Sequence, residues 1–298
     1  MSDSTAGLQR KISGAEDLQS VVRTMKAVAA SSIGQYEQSV RALTDYYRTV
    51  ELGLAACFRQ SRLRPSLEEG RRMGAKTIIA VVFGSDQGLV GRFNDVVAEY
   101  AARVLADLPA KPEVWAVGER VHVRLADAGL QLMGLFAVPS SVKSITPLIG
   151  QILVESEKHH RQDEVTELHL VYNRLASGAV YAPFSQRLLP LDEQWRRDLT
   201  ELAWPTENLP EVMGNDTATL RVLIREYLFV SLFRACAESL ASENASRLAA
   251  MQRADKNITE LLVDLKGTFH RLRQSGIDEE LFDVISGFEA LGRQGADR

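Results

Sequence analysis

All nine prolines of this 298-residue chain lie between Pro65 and Pro210, so 64 residues before them and 88 after them contain none. Proline inside a helix removes a backbone hydrogen bond and clashes with the preceding turn, at a cost of about 3 kcal/mol. A long segment without it is free to run as one helix, and the apolar spacing agrees. Tyr36, Val40, Leu43, Tyr47, Val50, Leu54 and Cys57 follow one another at steps of four and three, and the series extends back through Ala29, Met25 and Val22. Near the other end Met251, Ala254, Ile258, Leu261, Leu265, Thr268 and Leu272 show the same heptad spacing. The pattern predicts one helix at each terminus, each with a narrow apolar stripe. A helix over residues 215–291, at about 1.5 Å per residue, would span on the order of 110 Å. A domain of this size is not that wide, so the stripe needs a helical partner. The N-terminal helix is the nearest one, and with a domain between the two ends the pair must be antiparallel. Gly14, Gly34 and Gly53 each weaken the first helix by about 1 kcal/mol against alanine, which predicts local bends without a break.

The proline-bearing middle reads as α/β. Thr77–Phe83 (TIIAVVF) is a β-branched apolar strand, followed by a glycine-bearing turn and a helix over residues 94–108. Glu113–Val117 is a second strand before a short helix at 121–128, and Met133–Val138 a third before a helix at 144–159. ELHLVYNRL and VYAPFSQRLLPL look like antiparallel partners joined across Ala176–Ala179. The expected fold is therefore α/β, with a mainly parallel sheet and a late antiparallel pair, plus a long antiparallel coiled coil made by the terminal helices. Its parts are an N-terminal shaft helix at 1–64, an α/β foot at 65–212 and a C-terminal shaft helix at 213–298.

Candidate chemistry is sparse. Gly84, Gly88 and Gly91 sit where a dinucleotide-binding fold places its phosphate loop, but neither G-x-G-x-x-G nor G-x-x-x-x-G-K-[ST] is met. The simpler reading is a tight strand-to-helix turn with Asp86 near the helix start. The adjacent His159 and His160 point about 100° apart on a helix and cannot chelate together, and the remaining histidines, His122, His169 and His270, have no zinc spacing. Arg221, Arg225, Arg247 and Arg253 are interleaved with acids, as on a solvated face, and a net charge of −4 gives no basic balance for nucleic acid. No run of about 18 apolar residues is present to span a membrane. The first residues lack the apolar run of a signal peptide, so the sequons at Asn215, Asn244 and Asn257 read as chance and Cys57 and Cys236 as buried thiols of a reducing compartment. No catalytic, cofactor-binding or metal-binding residue is expected.

Both ends and the first strand turn resemble the gamma subunit of F-type ATP synthases. The likeness rests on LQRKI (Leu8–Ile12), RTMKAVAAS (Arg23–Ser31) and SDQGLVGRFN (Ser85–Asn94). It is most specific in ESLASENASRLAAMQRADKNITELLVDL (Glu238–Leu265) and RQSGIDEELFDVISGFEAL (Arg273–Leu291). The resemblance implies a non-catalytic rotating central stalk that couples ion flow through a membrane ring to ATP synthesis or hydrolysis on beta subunits. It implies alpha, beta and epsilon subunits and a c-ring as partners, at the cytoplasmic face of a bacterial inner membrane. It also implies contact roles: Met25, with basic Arg23 and Lys26 beside it, would face an acidic lever on beta, and Arg247 and Gln274 would meet a beta-subunit loop.

This chain departs from the family pattern at several positions. Ser31–Gly34 replaces a usual basic run, Val90 a frequent cysteine, and Asp278 a common threonine. These differences suggest a divergent or alternative bacterial form. Two other classes remain open at this level: a static coiled-coil scaffold, and an α/β nucleotide-binding enzyme with helical extensions.

Overall fold

The computed structural model describes residues 4–60, 77–160, 166–191, 193–208, 210–212 and 216–295. The expected boundary at 64/65 and the sequon at Asn215 lie outside them, and the boundary at 212/213 falls on their edge. Two compact units are present: one joins residues 1–28 to 250–298, and the other is residues 29–249. Helices α1 (Thr5–Gln60) and α6 (Asp216–Gly295) contribute to both. They are continuous helices of 56 and 80 residues, as the missing prolines predict.

In residues 29–249 a five-stranded sheet has the order β3-β2-β1-β4-β5. The strands are β1 (Thr77–Phe83), β2 (Glu113–Val117), β3 (Leu132–Phe136), β4 (Thr166–Ala176) and β5 (Ala179–Leu189). β1, β2, β3 and β4 run parallel, with Val81 opposite both Trp115 and Leu170, and β5 returns antiparallel to β4. The right fold class was therefore legible in the strand and helix alternation. β1 is buried from Ile78 to Phe83 because each face is covered. One face, with Ile79, Val81, Phe83, Trp115 and Tyr172, packs against α4 (Val142–His160), Tyr36 of α1 and the Leu232–Ala241 stretch of α6. The other, with Ala80, Val82 and Ala116, packs against α2 (Phe93–Ala106) and α3 (Glu119–Asp127). A helix not anticipated from the sequence, α5 (Glu193–Glu201), forms a third cluster in which Trp195 packs edge-on to Tyr227 and Phe58.

The long helices pair antiparallel within each unit. In residues 29–249, Tyr46 donates to Glu226 at 2.6 Å and Tyr47 stacks near Tyr227. In the unit of residues 1–28 and 250–298, Glu16 pairs with Lys266, Gln19 bonds Thr259 and Lys26 pairs with Asp255. On α1 the expected seam residues Ala29, Tyr36, Val50, Leu54 and Cys57 are buried, and the line continues to Ala15 and Leu8 through Lys26, one residue beside the expected Met25.

On α6 the expected seam is displaced by one residue. Leu261 is 50 % exposed, whereas Leu262 is 7 % exposed. The observed line is Met251, Asp255, Ile258, Leu262, Leu265, Phe269 and Leu272, all at least half-buried. It differs from the expected one at Asp255, Leu262 and Phe269. The slip has a physical cause: the true seam passes through a charged residue, and tracing apolar residues alone steps aside to Ala254 and then to Leu261.

Two substitutions distinguish the lines. Leu262→Ala should cost about 2 kcal/mol or more, as truncation of a buried leucine does. Leu261→Ala should stay within about 0.5 kcal/mol of wild type, as for a surface change. Chemical denaturation of the purified chain measures both, and equal costs would return Leu261 to the seam.

Candidate functional site

The turn after β1 is built by packing and internal hydrogen bonds. A Cβ on Gly84 would lie 2.3 Å from Val121 Cβ and 2.8 Å from Asn94 Oδ1, so no other residue fits there. Ser85 N–H donates to Asn94 Oδ1, Asn94 Nδ2 donates to Ser85 Oγ, and Gly84 N–H donates to Val117 O. These are the donors that a phosphate loop would turn toward its ligand. Asp86 does not cap the helix that follows it. Its two carboxylate oxygens accept from the backbone N–H of Glu119, at the start of α3, and of Val138, each at 2.9 Å. The turn thus ties three strand ends together. Leu89 at its tip is 61 % exposed and has φ +62°, a left-handed backbone that leucine adopts at a cost of about 1–2 kcal/mol.

α6 lies against this turn. Ser246 Oγ donates to Val90 O at 2.5 Å. One turn of helix around it carries Glu243, which accepts from Arg247 Nη2 at 2.6 Å, while Arg247 Nη1 donates to Asn244 Oδ1 at 3.3 Å. The Arg247 and Glu243 side chains keep only 12 % and 7 % of their exposure. Burial pushes the Glu243 carboxyl above the ordinary glutamate range, against the pull of Arg247. It does the same to the thiol of Cys236; both Cys236 and Cys57 are buried and outside any disulfide. Arg247, expected from the resemblance as a partner contact, is therefore largely spent on an internal pair.

In the unit of residues 1–28 and 250–298, the other expected contacts are differently placed. Arg23 Nε and Lys26 Nζ converge on Asp255, at 3.3 Å and 3.0 Å. Gln19 Nε2 bonds the same carboxylate and also Thr259 Oγ1. Lys26's hydrogen bond and charge, with Arg23's, hold the Asp255 carboxyl below the ordinary aspartate range. Met25 is half-buried beside this cluster, and Gln274 and Asp278 are exposed. The sequence reading overlooked the far end of α6, where Ile277, Leu281, Phe282, Val284 and Ile285 are all exposed. Five large apolar side chains within nine residues form a patch of the kind that marks an interaction surface. Ile277, Leu281, Val284 and Ile285 stand at the i, i+4, i+7, i+8 spacing of one helical face, and that spacing is the signal that would have identified them.

Among the described residues no group of histidine, cysteine or carboxylate side chains is arranged to hold a metal, and no helix is long and apolar enough to cross a membrane.

A family model described as ATP synthase matches residues 4–291. The chain belongs to the ATP synthase family. It is 26 % identical over 294 residues to the ATP synthase gamma chain of Laribacter hongkongensis, covering 95 % of this chain and 98 % of that one. It is 27 % identical over 296 residues to the gamma chain of Syntrophus aciditrophicus, covering 96 % and 98 %. Its fold resembles a chain in the OSCP/F1/c-ring structure of the Euglena gracilis mitochondrial ATP synthase, with TM-score 0.65, 18 % identity and coverage of 96 % and 94 %. A chain in the central stalk and c-ring of the Tetrahymena thermophila mitochondrial enzyme is similar at TM-score 0.53 and 19 % identity, over 78 % of this chain and 99 % of that one.

Ser246 tests the joint between turn and helix. Ser246→Ala removes one of two donors to the buried Val90 carbonyl, which keeps the Phe93 N–H at 3.3 Å, and should destabilise the chain by about 0.5–1.5 kcal/mol. Denaturant unfolding of wild type and variant measures this; no loss would mean that the joint contributes nothing to the fold.

Proposed function

We propose that this chain is the rotating central-stalk gamma subunit of an F-type ATP synthase. Its role is to couple ion flow through a membrane ring to ATP synthesis or hydrolysis on beta subunits. The observation that carries the reading is the match to gamma chains over 98 % of their own length, in a chain whose fold is built around two long paired helices. A partial match would leave room for another use of the fold. The partners are the alpha and beta subunits of the catalytic hexamer, the epsilon subunit and the c-ring, at the cytoplasmic face of a bacterial inner membrane. The chain itself carries no catalytic step, and the turn after β1 is a packing element.

The mechanism is mechanical allostery. A shaft with different side chains around its circumference makes different contacts with three equivalent partners, and turning it moves each through its states in order. Exposed Gln274 and half-buried Met25, with Arg23 and Lys26, supply such contacts in this reading. Arg247 contributes through the edge that its pair with Glu243 leaves open. The exposed apolar end of α6 offers a further surface for a partner.

Met25→Lys tests the contact role. A cation added here should pair with an acidic surface on beta more strongly in some rotary positions than in others, and so act as a brake. The expected result in reconstituted vesicles is normal assembly, retained but slowed hydrolysis and a lower ratio of ion transport to hydrolysis. High salt should relieve part of the defect, because exposed charges are screened beyond about 8 Å at physiological ionic strength. An unchanged ratio would remove Met25 from the coupling contacts.

A further inference from the structure

We infer that Asp255 is a positioning residue that controls how strongly Arg23 and Lys26 engage an acidic surface on a neighbouring subunit. The inference rests on the contact role given above to those two cations. It goes further by assigning a role to a side chain that the contact reading leaves out.

The geometry is specific. Asp255 occupies a seam position of α6, and Gln19 and Lys26 occupy seam positions of α1, so the apolar stripe is interrupted by one polar layer. Lys26 Nζ reaches Asp255 Oδ2 at 3.0 Å, and Gln19 Nε2 and Arg23 Nε reach Oδ1, each at 3.3 Å. Gln19 Nε2 also donates to Thr259 Oγ1 at 2.8 Å, which closes the layer. The carboxylate keeps 18 % of its exposure, while Arg23 keeps 61 % and Lys26 36 %. The anion is therefore the sheltered member and the cations are the accessible ones.

The contact uses only part of each cation's capacity. Asp255 takes Arg23 at Nε, which leaves the terminal nitrogens of the guanidinium for a second carboxylate. Lys26 has three donor protons and gives one to Asp255. One carboxylate facing two cations leaves a net charge of about +1 on this patch. A partner carboxylate approaching from solvent thus meets cations that are oriented and half-neutralised in advance. Removing the internal anion raises the local charge to about +2 and frees two long side chains to close on the partner. Because the contact is broken and remade as a shaft turns, stronger pairing means a deeper trap in one position.

Asp255→Asn tests this without removing the side chain's shape or its hydrogen-bonding oxygen. The preparation is the assembled complex of this chain with its alpha and beta subunits, and the readout is ATP turnover against salt concentration. At low salt the variant should turn over about two- to fivefold more slowly than wild type, the range set by exposed ion pairs. The gap should close as salt rises. With Arg23→Gln and Lys26→Gln also present, Asp255→Asn should have no further effect. Thermal unfolding of each variant chain, compared with Asp255→Ser, separates a folding loss from a contact effect, since a purely structural role would leave the salt dependence unmoved.

Turnover of Asp255→Asn equal to wild type at low salt would overturn the inference, as would a defect that persists without the two cations. The contact reading itself fails in a different way: the Arg23→Gln, Lys26→Gln double variant would then match wild type at every salt concentration.

Discussion

The apolar seam between α1 and α6 is the constraint on which the other features depend. Neither helix can leave such a stripe in water, since each buried leucine or valine is worth about 1.5–3 kcal/mol against exposure. A seam made only of apolar side chains tolerates sliding by a heptad, because one layer looks much like the next. The polar layer of Gln19, Lys26 and Asp255 removes that freedom. A slip would leave charged groups facing leucine and would cost more than the layer's own modest pairing energy. The layer thus exchanges some stability for a fixed register, and every contact on the outside of the pair depends on that register.

In residues 29–249 the same helix is held by different means. From Val230 to Ser246 α6 is buried on more than one side, by the sheet face around Ile79 and Val81, by α1 at Tyr36 and by the turn after β1 at Val90. Several of the buried polar side chains in this stretch find a backbone partner. Asn244 donates to Leu240 O, Ser242 to Glu238 O and Ser246 to Val90 O. Glu243 and Arg247 share one buried pair. A cation withdrawn into that pair adds rigidity where the turn meets the helix.

Much of this was legible in the sequence because it is written in period and proline. The proline-free ends specified two uninterrupted helices, and the strand–helix alternation specified a mainly parallel sheet. What failed failed locally and for identifiable reasons. The α6 seam was traced through Leu261 because a search for apolar residues avoids Asp255, whose place in the seam becomes sensible only once Lys26 and Gln19 lie opposite it. Asp86 was set at the start of its own helix, since sequence neighbours are the default partners, whereas its oxygens cap α3 and hold Val138. α5 is short and its apolar face is covered by Tyr227 and Phe58 from distant parts of the chain, so no local pattern announces it.

The contrast between the two kinds of cation bears on how a shaft of this kind can work. A contact that must form and break three times per turn cannot be strong: each 1.4 kcal/mol of extra attraction at one position slows escape about tenfold. Arg247, largely buried in its pair with Glu243, is held in place and offers only an edge. Arg23 and Lys26 are accessible, yet partly satisfied by Asp255, so a second carboxylate gains only the difference between two similar pairs. Exchange between near-equal partners is fast and weakly biased, whereas capture by a bare double charge would be slow and deep. An internal counter-charge is therefore a means of keeping a rotor's cations at its surface without letting them become anchors.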